Sequence, residues 1–169
     1  MRSLLKLLVC YLSIVAAAHA EVIESSPERY VLKQQMESSL PPSELWKRLI
    51  EPSSWWHPDH TYSGDSANLS LDVQAGGLWR EDWQGNSVFH GSILQVQTEK
   101  TLRLNAPFGP LQGLAVNVVW TINIEPVESG GSLVTFDEVA NGTAASKLDA
   151  LAGAVDFVKT EAIKRLVTP

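Results

Sequence analysis

The C-terminal segment, residues 145–169, contains the only long helical pattern in this sequence. Its apolar residues recur every three or four positions, and the charged residues lie mostly between them: Leu148, Leu151, Ala152, Val155, Val158, Ala162 and Leu166. This spacing predicts a long amphipathic helix. Because the chain before it shows mainly strand patterns, this helix is the one large apolar surface that can cover a sheet.

Short strand patterns joined by turn signals precede this helix. Residues 30–36 alternate, after which prolines open one helix at 41–43 and a second, shorter one at 52–54. Six further strand patterns follow, and the clearest alternation covers residues 116–124. The order predicts an α+β chain whose curved antiparallel sheet of about six or seven strands is wrapped on the C-terminal helix.

Residues 1–20 differ from the rest of the chain. Arg2 and Lys6 accompany an apolar run, and small residues stand at the first and last positions of Ala18-His19-Ala20. This pattern is typical of a secretory signal peptide, and the run is short for a membrane span, although an uncleaved anchor is the alternative. We expect a periplasmic or secreted protein without stable membrane insertion after cleavage. A flexible leader at 21–28 and a single domain at 29–169 would remain.

Charge and composition exclude several classes of function. The net charge is −6, and cleavage would remove two basic residues but no acidic ones. Since no basic run is present, the composition argues against binding to nucleic acid or to an anionic membrane surface. The one cysteine, Cys10, lies in the predicted signal peptide, so the mature chain has no thiolate. No phosphate loop or dinucleotide fingerprint is present, and we expect no cofactor.

Several motifs resemble the START-like (SRPBCC) superfamily, which includes polyketide cyclases and dehydrases, the birch-pollen-allergen fold and the Hsp90 ATPase activator domain. They are Trp-Trp-His-Pro at 55–58, Gly-Gly-x-Trp-x-Glu at 76–81, the pair His90-Gly91 and the terminal helix. The resemblance extends over residues 30–166 and implies a helix-grip fold with a cavity between sheet and helix. Members bind lipids, hormones, polyketides or partner proteins, so the fold alone does not assign an activity.

Glu81 and His90 are the candidate catalytic residues. Glu81 shares a strand face with Trp79 and Trp83, and His90 shares an apolar face with Leu94. Since the aromatic side chains should face inward, Glu81 should be enclosed, and a carboxylate there needs a partner or a wet cavity. If the two meet, they can act as a general acid–base pair. The alternatives are a simple buried pair for Glu81 and a satisfied core position for His90.

Other side chains are candidates for ligand contact, inside the sheet or at the cavity mouth: Trp56, His60, Tyr62, Trp79, Trp83, Trp120 and Glu138. Because Trp55 and Trp56 are adjacent, we expect only one of them to point inward and the other to face the entrance. Lys159 lies near the edge of the apolar stripe and is expected to extend to water; the alternative is a cavity-facing lysine that binds a carboxylate. His57 and His60 form a weak metal pattern in a proline-containing loop, and no metal site is predicted.

These observations favour an exported protein that binds a small hydrophobic or aromatic molecule, such as a lipid or a polyketide-like compound, between the sheet and the C-terminal helix. One alternative is an enzyme of the cyclase, dehydrase or hydrolase kind that uses Glu81 and His90. The other is a module that binds a partner protein through Trp55 and Trp56. The sequence leaves the oligomeric state open.

Overall fold

The computed structural model describes residues 19–168, which form one curved antiparallel sheet with two helices. The helices are α1 (Pro42–Leu49) and α2 (Leu148–Val167). The strands are β1 (His19–Ser26), β2 (Arg29–Ser38), β3 (Leu69–Leu71), β4 (Leu78–Trp83), β5 (Asn86–Gln97), β6 (Thr101–Asn105), β7 (Asn117–Pro126) and β8 (Ser132–Asn141). Their order in the sheet is β1-β2-β8-β7-β6-β5-β4-β3. This is the predicted helix-grip fold, with eight strands instead of six or seven.

The additional strand is β1, in the segment that we expected to be a flexible leader. It pairs with β2 from His19 opposite Gln35 to Ser26 opposite Arg29. A bulge after Val22 interrupts the alternation of this edge strand, which explains why the sequence pattern gave no strand signal. The predicted cleavage after Ala20 falls within β1, and the rest of the predicted signal peptide lies outside the described residues. No helix within residues 19–168 is long and apolar enough to cross a membrane.

Helix α2 covers one end of the sheet, where it packs on β1, β2 and β8. Its first turns bury Leu148 and Ala152 in a small hydrophobic cluster with Leu32 of β2. Its last turns bury Ile163 and Leu166 in a second, larger cluster. The helix therefore joins two hydrophobic clusters, and its middle turns lie between them.

Packed aromatic rings form part of the larger hydrophobic cluster, on the concave side of the sheet. Trp55, Trp79 and Trp120 are almost completely buried, and Trp120 meets Phe136 edge-to-face with ring centroids 4.9 Å apart. Edge-to-face pairs add to the stabilisation that burial gives. The expectation that only one of Trp55 and Trp56 would point inward was wrong. The chain leaves its short 3₁₀ turn at Trp55 (φ −135°), so helical spacing does not fix the two indoles, and both are buried.

Two bulges in β5 decide which of its side chains face the core. The pairing slips once at His90 and once at Leu94, and each slip adds one unpaired residue. An extra residue shifts the alternation by one position. His90 is consequently buried whereas Leu94 is 49% exposed, so the prediction that they share a face was wrong.

Gly91 follows the first bulge, where β5 approaches the end of β6 closely. A Cβ atom on Gly91 would lie 2.6 Å from the carbonyl oxygen of Asn105 and 3.1 Å from Cα of Ala106. Both atoms belong to the backbone and have little freedom to move. Only glycine fits here without displacing one of the two strands.

We therefore expect Gly91→Ala to lower the free energy of unfolding by about 1–3 kcal/mol, the usual cost of overpacking. Gly153→Ala is the matched control, because a Cβ at this exposed position of α2 meets nothing within 4 Å. It should raise stability by about 0.5–1 kcal/mol through helix propensity. Urea unfolding of both variants measures the difference, and equal stability of Gly91→Ala and the parent would contradict the close approach.

Candidate ligand-binding cavity

A cavity of about 410 Å³ lies between the middle of α2 and two loops, residues 56–62 and 106–111. Most of its wall is apolar, and α2 contributes Leu151, Val155 and Val158. The sequence predicted these three residues as part of the apolar stripe of the helix. They are half-buried, since they line the open cavity and also pack against the two hydrophobic clusters.

The loop at 56–62 forms one side of the cavity and contains three of the predicted ligand-binding residues. Trp56, His60 and Tyr62 all line the cavity, and Tyr62 is 52% exposed at its mouth. The indole Nε1 of Trp56 donates a hydrogen bond to the carbonyl oxygen of His60 at 3.1 Å. Partial burial, assisted by the nearby His57, lowers the pKa of His60, so its ring is neutral at neutral pH.

A buried polar cluster forms the deep end of the cavity. Nζ of Lys159 lies 2.8 Å from Oε2 of Glu138, and the phenol of Tyr30 donates a hydrogen bond to Oε1 at 2.6 Å. Glu138 and Lys159 both line the cavity. Lys159 is only 3% exposed, so the expectation that it extends to water was wrong. Its position on α2, seven residues after buried Ala152 and three before buried Ala162, places it with the inward-facing residues, as in the alternative of a cavity-facing lysine.

Burial and charge act in opposite directions on Lys159. Loss of water holds the pKa of its ammonium group below the ordinary value, and the carboxylate of Glu138 offsets this only in part. Burial, together with the negative charge of Glu138, raises the pKa of Tyr30, which therefore remains protonated and able to donate. Glu138 was predicted from the sequence as a possible ligand contact, whereas Tyr30 was not, because only the pairing of β2 with β8 brings the two side chains together.

Glu81 and His90 meet, as the catalytic hypothesis requires, but outside the residues that line the cavity. Nε2 of His90 lies 2.9 Å from Oε2 of Glu81. The carboxylate also accepts hydrogen bonds from the backbone amides of Tyr62 at 3.0 Å and Ser63 at 2.5 Å. Glu81 is completely buried. Its contacts therefore hold the loop at the mouth of the cavity in place.

The shifts in the pKa values of Glu81 and His90 agree with this role. Burial raises the pKa of Glu81, but the hydrogen bonds from Ser63, Tyr62 and His90 outweigh burial and hold the pKa below its ordinary value. Burial lowers the pKa of His90, and Glu81 offsets this only in part. At neutral pH the pair is an ionised carboxylate and a neutral imidazole that donates from Nε2. A carboxylate with a low pKa and three donors is a weak base.

Three predicted contact residues do not line the cavity. Trp79 and Trp120 are core residues of the larger hydrophobic cluster, and Trp83 is half-buried beside the hairpin turn at the end of β4.

His57 uses Nδ1 to accept a hydrogen bond from the amide of Asp59 at 3.1 Å. Within residues 19–168, no group of three His, Cys, Asp or Glu side chains is placed to hold a metal ion.

Comparisons with known proteins support the fold. No protein-family model matches the sequence, and no curated protein matches it significantly. Among solved structures, it is similar to CalU16 from Micromonospora echinospora (TM-score 0.57, 17% identity, 90% of this chain and 80% of that one). Protein CV1439 from Chromobacterium violaceum has a TM-score of 0.56 (18% identity, 82% of this chain and 97% of that one). Ara h 8.0201 has a TM-score of 0.54 (14% identity, 82% of this chain and 95% of that one). The chain shares its fold with these structures.

We expect Glu81→Gln to lower the free energy of unfolding by about 2 kcal/mol at pH 7, since it removes hydrogen bonds to a charged group. The folded-state pKa of Glu81 lies below its ordinary value of about 4.3. Its contribution is therefore present above that value and is lost as the pH falls through the folded-state pKa. Denaturant titrations should therefore show that the difference in free energy of unfolding between variant and parent becomes smaller below pH 4.

Asp82→Asn is the control, because Asp82 is the next residue of β4 and its side chain is half-exposed. It should change stability by less than about 0.5 kcal/mol. Hydrogen exchange gives a second measurement: the amides of Tyr62 and Ser63 should lose protection in Glu81→Gln alone. Unchanged protection of these two amides would show that Glu81 does not hold the loop.

Proposed function

We propose that this protein binds a small, largely apolar molecule in the cavity between α2 and the loops at 56–62 and 106–111. The observation that carries the proposal is the cavity itself, which has a volume of about 410 Å³ and mostly apolar walls. Small-molecule sites typically have volumes of about 300–1,000 Å³, apolar linings and a few polar groups that orient the ligand. Lys159 and Glu138 are the buried polar groups in this wall.

Two further observations support binding. The START-like superfamily that the sequence resembles includes proteins that bind lipids, hormones and polyketides. The loop at the mouth is fixed to β4 through Glu81, so one wall of the cavity is formed before a ligand arrives. A preformed site avoids the entropy cost of ordering a loop on binding.

Ala154→Trp should weaken binding of the neutral apolar dye Nile red at least about tenfold, since the indole occupies space that the ligand needs. Ala154 lines the cavity, and Ala150→Trp, one helical turn earlier and outside the lining, is the matched control. Both positions are exposed, so both variants should fold. Fluorescence titration measures the affinities. If both variants bind the dye like the parent, the ligand does not occupy this cavity.

We also propose that the protein is exported, on the basis of the charged start, the apolar run and the small residues at 18 and 20. Cleavage after Ala20 would leave Glu21–Ser26 of β1 to pair with β2. N-terminal sequencing of the protein from a periplasmic or culture fraction should begin at Glu21. A chain that retains Met1 in the cytoplasmic fraction would contradict export.

A further inference from the structure

The ammonium group of Lys159 has more hydrogen-bond donors than the protein satisfies. It has three N–H donors, and Nζ lies 2.8 Å from Oε2 of Glu138, an ion-pair distance without hydrogen-bond alignment. The ring of Trp120 faces the same nitrogen, with the ring centroid 3.1 Å away, and can accept one N–H through a cation–π contact. Across residues 19–168, no nitrogen or oxygen accepts a well-aligned hydrogen bond from Nζ.

This unpaired donor belongs to a group that is both buried and part of the cavity wall. Lys159 is 97% buried, and it is the only lysine or arginine among the described lining residues. A buried charged donor without an acceptor is costly, so a ligand that brings an acceptor to Nζ gains the energy that the protein leaves unused. Hydrogen bonds from a charged donor are about twice as strong as neutral ones.

The charges around the cavity decide which kind of acceptor fits. Glu138 already balances the charge of Lys159, and Asp59 at the mouth adds a further negative charge. A ligand carboxylate would therefore lie close to Glu138 with no second cation to balance it, in a region of low dielectric constant. A neutral oxygen accepts the free N–H without adding charge.

We propose that the cavity binds a neutral, largely apolar molecule whose carbonyl oxygen accepts a hydrogen bond from Nζ of Lys159. Ketones, esters and aldehydes belong to this class, whereas fatty-acid anions do not. Trp56 and Phe108 line the cavity near Nζ, at 5.8 Å and 4.9 Å from their ring centroids, and suit a flat or aromatic body next to the carbonyl. This inference rests on the proposed function, because the ligand occupies the same cavity.

Three probes of nearly equal shape test the proposal: acetylnaphthalene with a neutral carbonyl, isopropylnaphthalene without an acceptor, and naphthoate with a negative charge. Isothermal titration calorimetry at pH 8 measures their affinities for the parent protein. We expect acetylnaphthalene to bind about 10- to 100-fold more tightly than isopropylnaphthalene, the usual effect of a charge-assisted hydrogen bond. Naphthoate should bind most weakly. The carbonyl stretch of bound acetylnaphthalene should shift to lower frequency.

The double variant K159M/E138Q removes both charges together and so avoids leaving Glu138 buried alone. It should bind acetylnaphthalene and isopropylnaphthalene equally. If this variant does not fold, the affinities of the three probes for the parent protein and the infrared shift of bound acetylnaphthalene still test the proposal. Equal affinity of the two neutral probes for the parent, or tightest binding of naphthoate, would overturn the inference while leaving a ligand-binding cavity. If none of the probes binds, the proposed function fails as well.

Discussion

A single helix cannot cover an eight-stranded curved sheet, and the interior of this protein follows from that constraint. Helix α2 lies over β1, β2 and β8, and rings such as Trp55, Trp79 and Trp120 fill much of the remaining concave space. Protein interiors normally contain few voids. The cavity of about 410 Å³ lies between the two hydrophobic clusters, and residues that belong to or pack against each of them form part of its wall.

The buried pair of Lys159 and Glu138 is easier to explain by ligand binding than by stability. Desolvation of two charges usually offsets their attraction, so a buried ion pair is seldom a strong stabilising element. Here the pair lies in the wall of the cavity, and Tyr30 donates a hydrogen bond to the other oxygen of Glu138, Oε1. Nζ of Lys159 and Oε2 of Glu138 are both left without a well-aligned hydrogen-bond partner among the described residues, so the cation keeps capacity for a further hydrogen bond.

Glu81 and His90 form the contact on which the catalytic hypothesis depends, and this contact also has a structural role. The sequence placed both side chains on inward faces and left open whether they meet; in the structure they do. The backbone amides of Tyr62 and Ser63 could not be foreseen, because the loop that contains them has no regular period that fixes its position. These amides turn a candidate base into an ionised anchor for the mouth of the cavity.

The sequence by itself determined the strands from residue 30 onward and the two helices, because alternation and helical spacing depend only on neighbours in the chain. The order of these elements then predicted a curved sheet wrapped on the C-terminal helix. It also pointed to Trp56, His60, Tyr62 and Glu138, which line the cavity. Tertiary structure decided the rest. The bulges in β5, the burial of both Trp55 and Trp56, and the contact of Lys159 with Glu138 depend on partners that are distant in sequence or on breaks in periodicity. No local pattern encodes these features.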